Sequence, residues 1–313
     1  MPVIRDILIL MLLLHPSDGR AVGRQQEQAK FTVKFLFAFP EFDRDDLALS
    51  QPQALAVDAK GQVFVLDTGN NRILKFDRNG KFIYAVGGFG WEEEQFDQPR
   101  DISVKLLLDV FVADYNNERV ERYDKDLNYL SSYDSDDILP SELQFGFPTG
   151  IDISRHGELF VCDSENDRVL KLNSSGEPVL SFGDFNWGEG QLREPGKIEV
   201  TPEDVVYVTD REANDVVVFD YYGTYVTRFG RKILQQPNGL VWTGDQLLVA
   251  DSGHDRVVVF DRRNDAVFHW GAKGELNGAF DNPVDVAVHE ERIYVLDANN
   301  GRVQVFVLQR RGG

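Results

Sequence analysis

The sequence is poor in the residues that many stabilising and catalytic devices need. It has one cysteine, Cys162, in 313 residues, so neither an intramolecular disulfide framework nor a Cys-rich zinc site can form. Its longest uninterrupted apolar run, Ile7–Leu14, has eight residues, too few to cross a bilayer as a helix, which takes about 20. Positive charge is scarce: 33 Lys+Arg stand against 52 Asp+Glu, for a net charge of −19. A chain so acidic lacks the basic surface that neutralises phosphates, which excludes nucleic acid as a general partner. Docking on an anionic membrane is excluded for the same reason. No segment keeps a helical period of apolar residues, and there is neither a Ser nucleophile elbow nor a phosphate loop.

The 42% apolar and 12% aromatic content is that of a folded chain. Ile7–Leu14 follows Arg5 and is broken by Pro16 and Gly19, and Ala21-Val22-Gly23 is a small-x-small cleavage signal. These features predict a signal peptide over 1–23 and export to the periplasm or the outside of the cell, with no membrane insertion after cleavage.

Beyond it, one pattern recurs six times. Pro52, Pro99, Pro148, Pro195, Pro237 and Pro283 each begin a short apolar strand. A second strand ends 14 or 15 residues later in Asp67, Asp114, Asp163, Asp210, Asp251 and Asp297. Five residues further stand Arg72, Arg119, Arg168, Asp215, Arg256 and Arg302, opening a third strand. Val-, Ile- and Phe-rich runs between turn residues read as strands, and a period of 42–49 residues with four strands per unit is that of a propeller blade. The expected fold is all-β: a six-bladed β-propeller with four antiparallel strands per blade. The sixth repeat lacks its outer strand, and Lys34–Pro40 supplies it, so the N-terminal strand should close the ring in the C-terminal blade. The predicted boundaries are 24–33 for a linker, 34–308 for the propeller and 309–313 for a tail.

The unit P-x-x-[ILV]-x-V … V-[FY]-V-x-D-x-x-N-x-R-[IV] resembles the NHL repeat, best in Phe64-Val65-Leu66-Asp67 with Asn71-Arg72-Ile73 and in Leu248-Val249-Ala250-Asp251 with Asp255-Arg256-Val257. The resemblance implies a six-bladed propeller. It leaves function open, because adhesion, RNA-binding, ubiquitin-ligase and lyase members share the repeat.

Three sets of residues could carry function. The pairs Asp67/Arg72, Asp114/Arg119, Asp163/Arg168, Asp251/Arg256 and Asp297/Arg302 recur too regularly for catalysis and read as structural staples, able to pair bidentately and to bond loop amides. Repeat four breaks the pattern with Asp215, which points to a notch in one face, and repeat five places His254 in the same loop. The loops after the second strands and the linkers between blades share one face. There Trp91, Glu92, Glu93 and Trp187 are candidate partner contacts, although each Trp could instead fold back over its blade. The acidic runs Asp43/Asp45/Asp46, Glu92–Glu94 and Asp134/Asp136/Asp137 fall on that face, which would attract basic partners or Ca²⁺. Finally, Arg100, Asp101, Asp152, Lys197, Glu199, Asn238 and Asp285 should line the mouth of the central channel.

These readings predict a monomeric binding scaffold for a protein, peptide or glycan, with no cofactor required. The alternative is an enzyme at the channel mouth. A calcium-dependent hydrolase of the lactonase type would use Glu199, Asn238, Asp152 and Asp285. An amidating-lyase-like enzyme would need zinc-binding histidines, and His156 and His289 are expected on the opposite face from His254. Cys162 is expected to be a packed core residue.

Overall fold

The computed structural model describes residues 31–40, 45–105, 109–135 and 138–310. The proposed signal segment, Asp43, Asp136, Asp137 and the last three residues lie outside that set.

Six separate four-stranded antiparallel sheets form six blades. In each, strands a, b, c and d follow one another from the axis outward. Blade 1 runs Ala54–Val57, Val63–Asp67, Arg72–Phe76 and Phe82–Gly87. Blades 2 to 6 begin with inner strands Pro99–Ser103, Pro148–Ile153, Pro195–Val200, Pro237–Trp242 and Pro283–His289. Blade 6 takes its outer strand from the start of the chain: Phe31–Phe39 pairs antiparallel with Arg302–Arg310, with Phe31 opposite Arg310 and Phe39 opposite Val303. The closing strand thus begins three residues before the expected Lys34.

The repeated prolines and aspartates face each other. Pro99, Pro148, Pro195, Pro237 and Pro283 are the strand-a partners of Asp114, Asp163, Asp210, Asp251 and Asp297, and the register slips just after each proline. This bulge at the head of strand a re-aims the side chains that follow it. Each Asp is also the cross-strand partner of the residue five positions on, as in Asp67 with Arg72. The residue just before that partner takes positive φ in all six loops: Asn71, Glu118, Asp167, Asn214, Asp255 and Gly301. Asn, Asp and Gly tolerate that conformation best, which explains the Asn/Asp-Arg dipeptide of the repeat.

The core lies between blades. Phe64, Leu66 and Ile73 of blade 1 pack with Phe96, Val110 and Tyr123 of blade 2, and equivalent clusters fill the other five interfaces. Cys162 is fully buried in strand b of blade 3, and burial pushes its thiol well up, as befits a packing residue.

Candidate functional site: the linker face and the axis

Each recurrent Asp organises a b–c loop and the linker crossing above it. Arg72, Arg119, Arg168, Arg256 and Arg302 donate through Nε to the Oδ2 of their aspartates at 2.7–2.9 Å. The pairing is through one nitrogen, not the expected bidentate fork. The other guanidinium nitrogens are turned to linker carbonyls, as Arg119 donates to Trp91 O at 2.9 Å and to Gln95 O at 2.8 Å. The opposite carboxylate oxygen accepts a linker amide: Asp67 accepts the Ser50 N–H at 2.6 Å, Asp114 the Asp97 N–H at 2.8 Å and Asp297 the Asp281 N–H at 2.8 Å. The staple thus ties strands b and c of its blade to the linker above them.

Asp215 requires a correction. It was expected to open a notch on the partner face, but it is fully buried. As the direct cross-strand partner of Asp210, it would set two carboxylates face to face. Arg228, on strand d, resolves this by reaching Asp210 at 3.1 Å and Asp215 at 3.0 Å, and Arg231 adds a contact to Asp215 at 3.2 Å. Blade 4 has moved its guanidinium from strand c to strand d. His254 is likewise engaged, its Nδ1 2.9 Å from Asp251 Oδ2, the place that Asn70, Asn117, Asn166 and Asn300 fill in other loops.

The two tryptophans differ. Trp91 is 71% exposed at the linker tip between blades 1 and 2, beside the exposed Glu92 and Glu93. Phe89 in the same linker, Phe185 between blades 3 and 4, and Leu276 between blades 5 and 6 are also largely exposed. Trp187 is partly buried, because its Nε1 donates to Gly223 O at 2.9 Å and its ring lies over the outer hairpin of blade 4.

On the axis the structure divides the expected channel set into two closed clusters. Lys197 from blade 4 is bonded to Asp101 of blade 2 and lies 3.5 Å from Asp285 of blade 6. Lys105, which sequence reasoning did not single out, bridges Asp152 at 2.5 Å and Glu199 at 2.9 Å. The carboxylates also tie neighbouring blades. Asp101 accepts the Ile151 N–H at 2.8 Å, Asp152 the Val200 N–H at 2.6 Å, and Asp285 the Leu55 N–H at 2.9 Å across the closure seam. Burial pushes Asp101 up to about 6 and Glu199 up to about 7, with their lysines opposing the shift. Arg100, by contrast, stands apart, its guanidinium 4.8 Å over the Tyr115 ring and its titration lowered by burial. Asn238 is partly exposed at the head of its strand.

This arrangement does not fit a calcium centre. Lysine ammonium groups occupy the positions between the carboxylates where a divalent ion would have to sit, and among the described residues no three His, Cys, Asp or Glu side chains converge as a metal set. The described histidines do not assemble either. His156 and His289 lie at a–b turns, His254 in a b–c loop and His269 on an outer strand.

Comparisons with known proteins agree with this architecture. The family model for the NHL repeat matches residues 49–76 and 280–306. Protein brain tumor of Drosophila melanogaster is 25% identical over 138 residues, 43% of this chain and 13% of that protein. The B-box type zinc finger protein ncl-1 of Caenorhabditis elegans is 30% identical over 123 residues, 38% of this chain and 14% of that one. The matched region is thus about one seventh of either relative. Among solved structures, a virginiamycin B lyase from Staphylococcus aureus superposes with a TM-score of 0.62 at 14% identity, covering 88% of this chain and 99% of the lyase. An auxiliary nutrient binding protein from Bacteroides ovatus gives 0.66 at 12% identity, covering 90% and 77%. At such identities these neighbours share the fold alone. On its repeats, their six-fold register and the blade geometry, this chain is a six-bladed β-propeller that carries NHL repeats at 49–76 and 280–306.

Proposed function

We propose that this propeller is an exported binding scaffold whose linker face captures a protein or peptide partner rich in Lys and Arg. The observation that carries the reading is the exposure of Phe89, Trp91 and Leu276 on linkers whose backbones are stapled from beneath. Large apolar side chains held out on rigid loops are poorly explained by folding and well explained by contact. The acidic groups around them, Glu92 to Glu94 and Glu275, supply steering for a basic partner.

The test is co-purification from the exported fraction with the parent protein and with a Phe89→Ala, Trp91→Ala, Leu276→Ala variant. We expect one partner to be retained by the parent, released as salt rises, and lost from the variant, with melting unchanged because all three side chains are exposed. Retention by the triple variant would overturn the assignment of this face. Finding the protein only inside the cell would overturn the export.

A further inference from the structure

A second surface lies outside the linker tips, and its chemistry is different. The linker from blade 3 to blade 4 meets the outer hairpin of blade 4 in an open cleft of about 350 Å³ lined by Asn186, Trp187, Tyr222, Gly223, Thr224 and Tyr225. In a chain with 27% charged residues, no charged side chain lines it. Tyr222 is 76% exposed, and Phe185 is 77% exposed in the adjoining linker.

The other blades act as internal controls. The two residues opening the equivalent c–d turn are Arg78-Asn79, Lys125-Asp126, Ser174-Ser175 and Arg262-Arg263, and only blade 4 has Tyr221-Tyr222. Polar residues are what an outer turn needs for folding. Tyr221 is used against blade 3, packed on Phe160 and Lys171 with its hydroxyl 3.1 Å from Ser154 Oγ, and it is the exposed Tyr222 that wants another reason. The cleft is also held in shape. The Trp187 Nε1–Gly223 O bond fixes the indole. Gly190 lets that ring and Tyr225 approach, since a Cβ there would stand 2.9 Å from Tyr225 Cβ and 3.0 Å from Trp187 Cδ1. Gly223, at φ +77°, leaves room for Phe182.

We propose that this cleft binds a neutral saccharide chain. Sugar rings carry apolar C–H faces that lie on aromatic rings, and they carry hydroxyls that both donate and accept. The cleft offers Trp187 and two tyrosines for the first, and the Asn186 amide and Thr224 hydroxyl, on exposed residues, for the second. A proline-rich peptide would also favour aromatic ridges, and it is separated from a saccharide by the nonaproline arm of the test. Absence of charge fits a neutral ligand and not an ionic one. The inference stands independently of the partner proposed for the linker tips.

The test uses tryptophan fluorescence and calorimetry on the whole protein with cellohexaose, maltohexaose, chitohexaose, laminarihexaose, xylohexaose and mannohexaose. At least one should bind saturably, Tyr222→Ala should weaken it tenfold or more, and Trp91→Ala should leave it unchanged. Because Tyr222 is exposed, its loss spares the fold, and an unchanged melting curve checks this. No binding by any of the six, equal binding by Tyr222→Ala, or saturation by nonaproline in their place would overturn the proposal.

Discussion

Asp215 shows how a repeat survives the loss of its most regular residue. The carboxylates of Asp210 and Asp215 are both fully buried, and the Arg228 guanidinium makes them tolerable. Removing one partner of a buried ionic set typically costs about 3–5 kcal/mol, because the remaining charge is stranded. Arg228→Leu should therefore lower unfolding free energy by about 3 kcal/mol, less if Arg231 moves in, as measured by urea denaturation. The sequence displayed the exception but not its remedy. Arg228 sits 13 residues downstream on another strand, outside any fixed offset from the repeat Asp. The same limit hid Lys105, whose partners are 47 and 94 residues away and meet it only across the axis.

Glu121 offers a residue-scale test with a built-in precedent. It is fully buried on strand c of blade 2, where burial pushes it up to about 7 against the hydrogen bond from Tyr123 and the charge of Arg119. At the matching place in blade 6, Gln304 donates to Ala279 O at 2.7 Å and accepts from Gly278 N–H at 2.9 Å. A carboxyl whose native pKa is raised binds more protons folded than unfolded, so its contribution is present at low pH and is lost as pH rises from about 4.5 to 7. Glu121→Gln should remove that slope and stabilise the protein above pH 7, by up to about 3 kcal/mol for a shift of this size. Equal pH profiles for parent and variant would contradict the assignment.

At the scale of elements, the linkers and the closing strand matter most. The linkers before blades 2 and 6 share one form, with Phe89 bridging Phe96 and Lys273 bridging Phe280 in parallel. Strands and linkers alike were legible, because apolar alternation, turn residues and a six-fold register reinforce one another. What the linkers display was not fully legible. Trp91 and Trp187 occupy the same place in their linkers, yet only the second meets an aromatic hairpin, and that contact is set by the neighbouring blade. The closing strand carries Phe35 against Phe306, with ring centroids 5.8 Å apart, and Phe39 against Phe76 of blade 1 at 4.9 Å. Deleting residues 31–39 strips both contacts and leaves an apolar edge strand unpaired. The truncated chain should be insoluble, and recovery of soluble protein with a cooperative melt would contradict the closure.

At the scale of the whole molecule, a net charge of −19 is spread over a ring whose axial charges are largely paired within the core. Self-repulsion of the surface excess should destabilise the ring at low ionic strength. Raising NaCl from 10 to 100 mM shortens the screening length from about 30 to about 10 Å. The melting temperature should rise over that range, and a flat response would show that the surface charges are too dispersed to matter. A chelator should leave melting unchanged, since a lysine ammonium stands between each pair of axial carboxylates.

The pairing of Phe31 with Arg310 has a consequence for how the molecule is handled. Both ends of the propeller leave from one margin of blade 6, with blade 5 between them and the tyrosine hairpin of blade 4. A bead, dye or surface anchored through either end therefore grips the same spot, and immobilisation by either route should leave the aromatic cleft free.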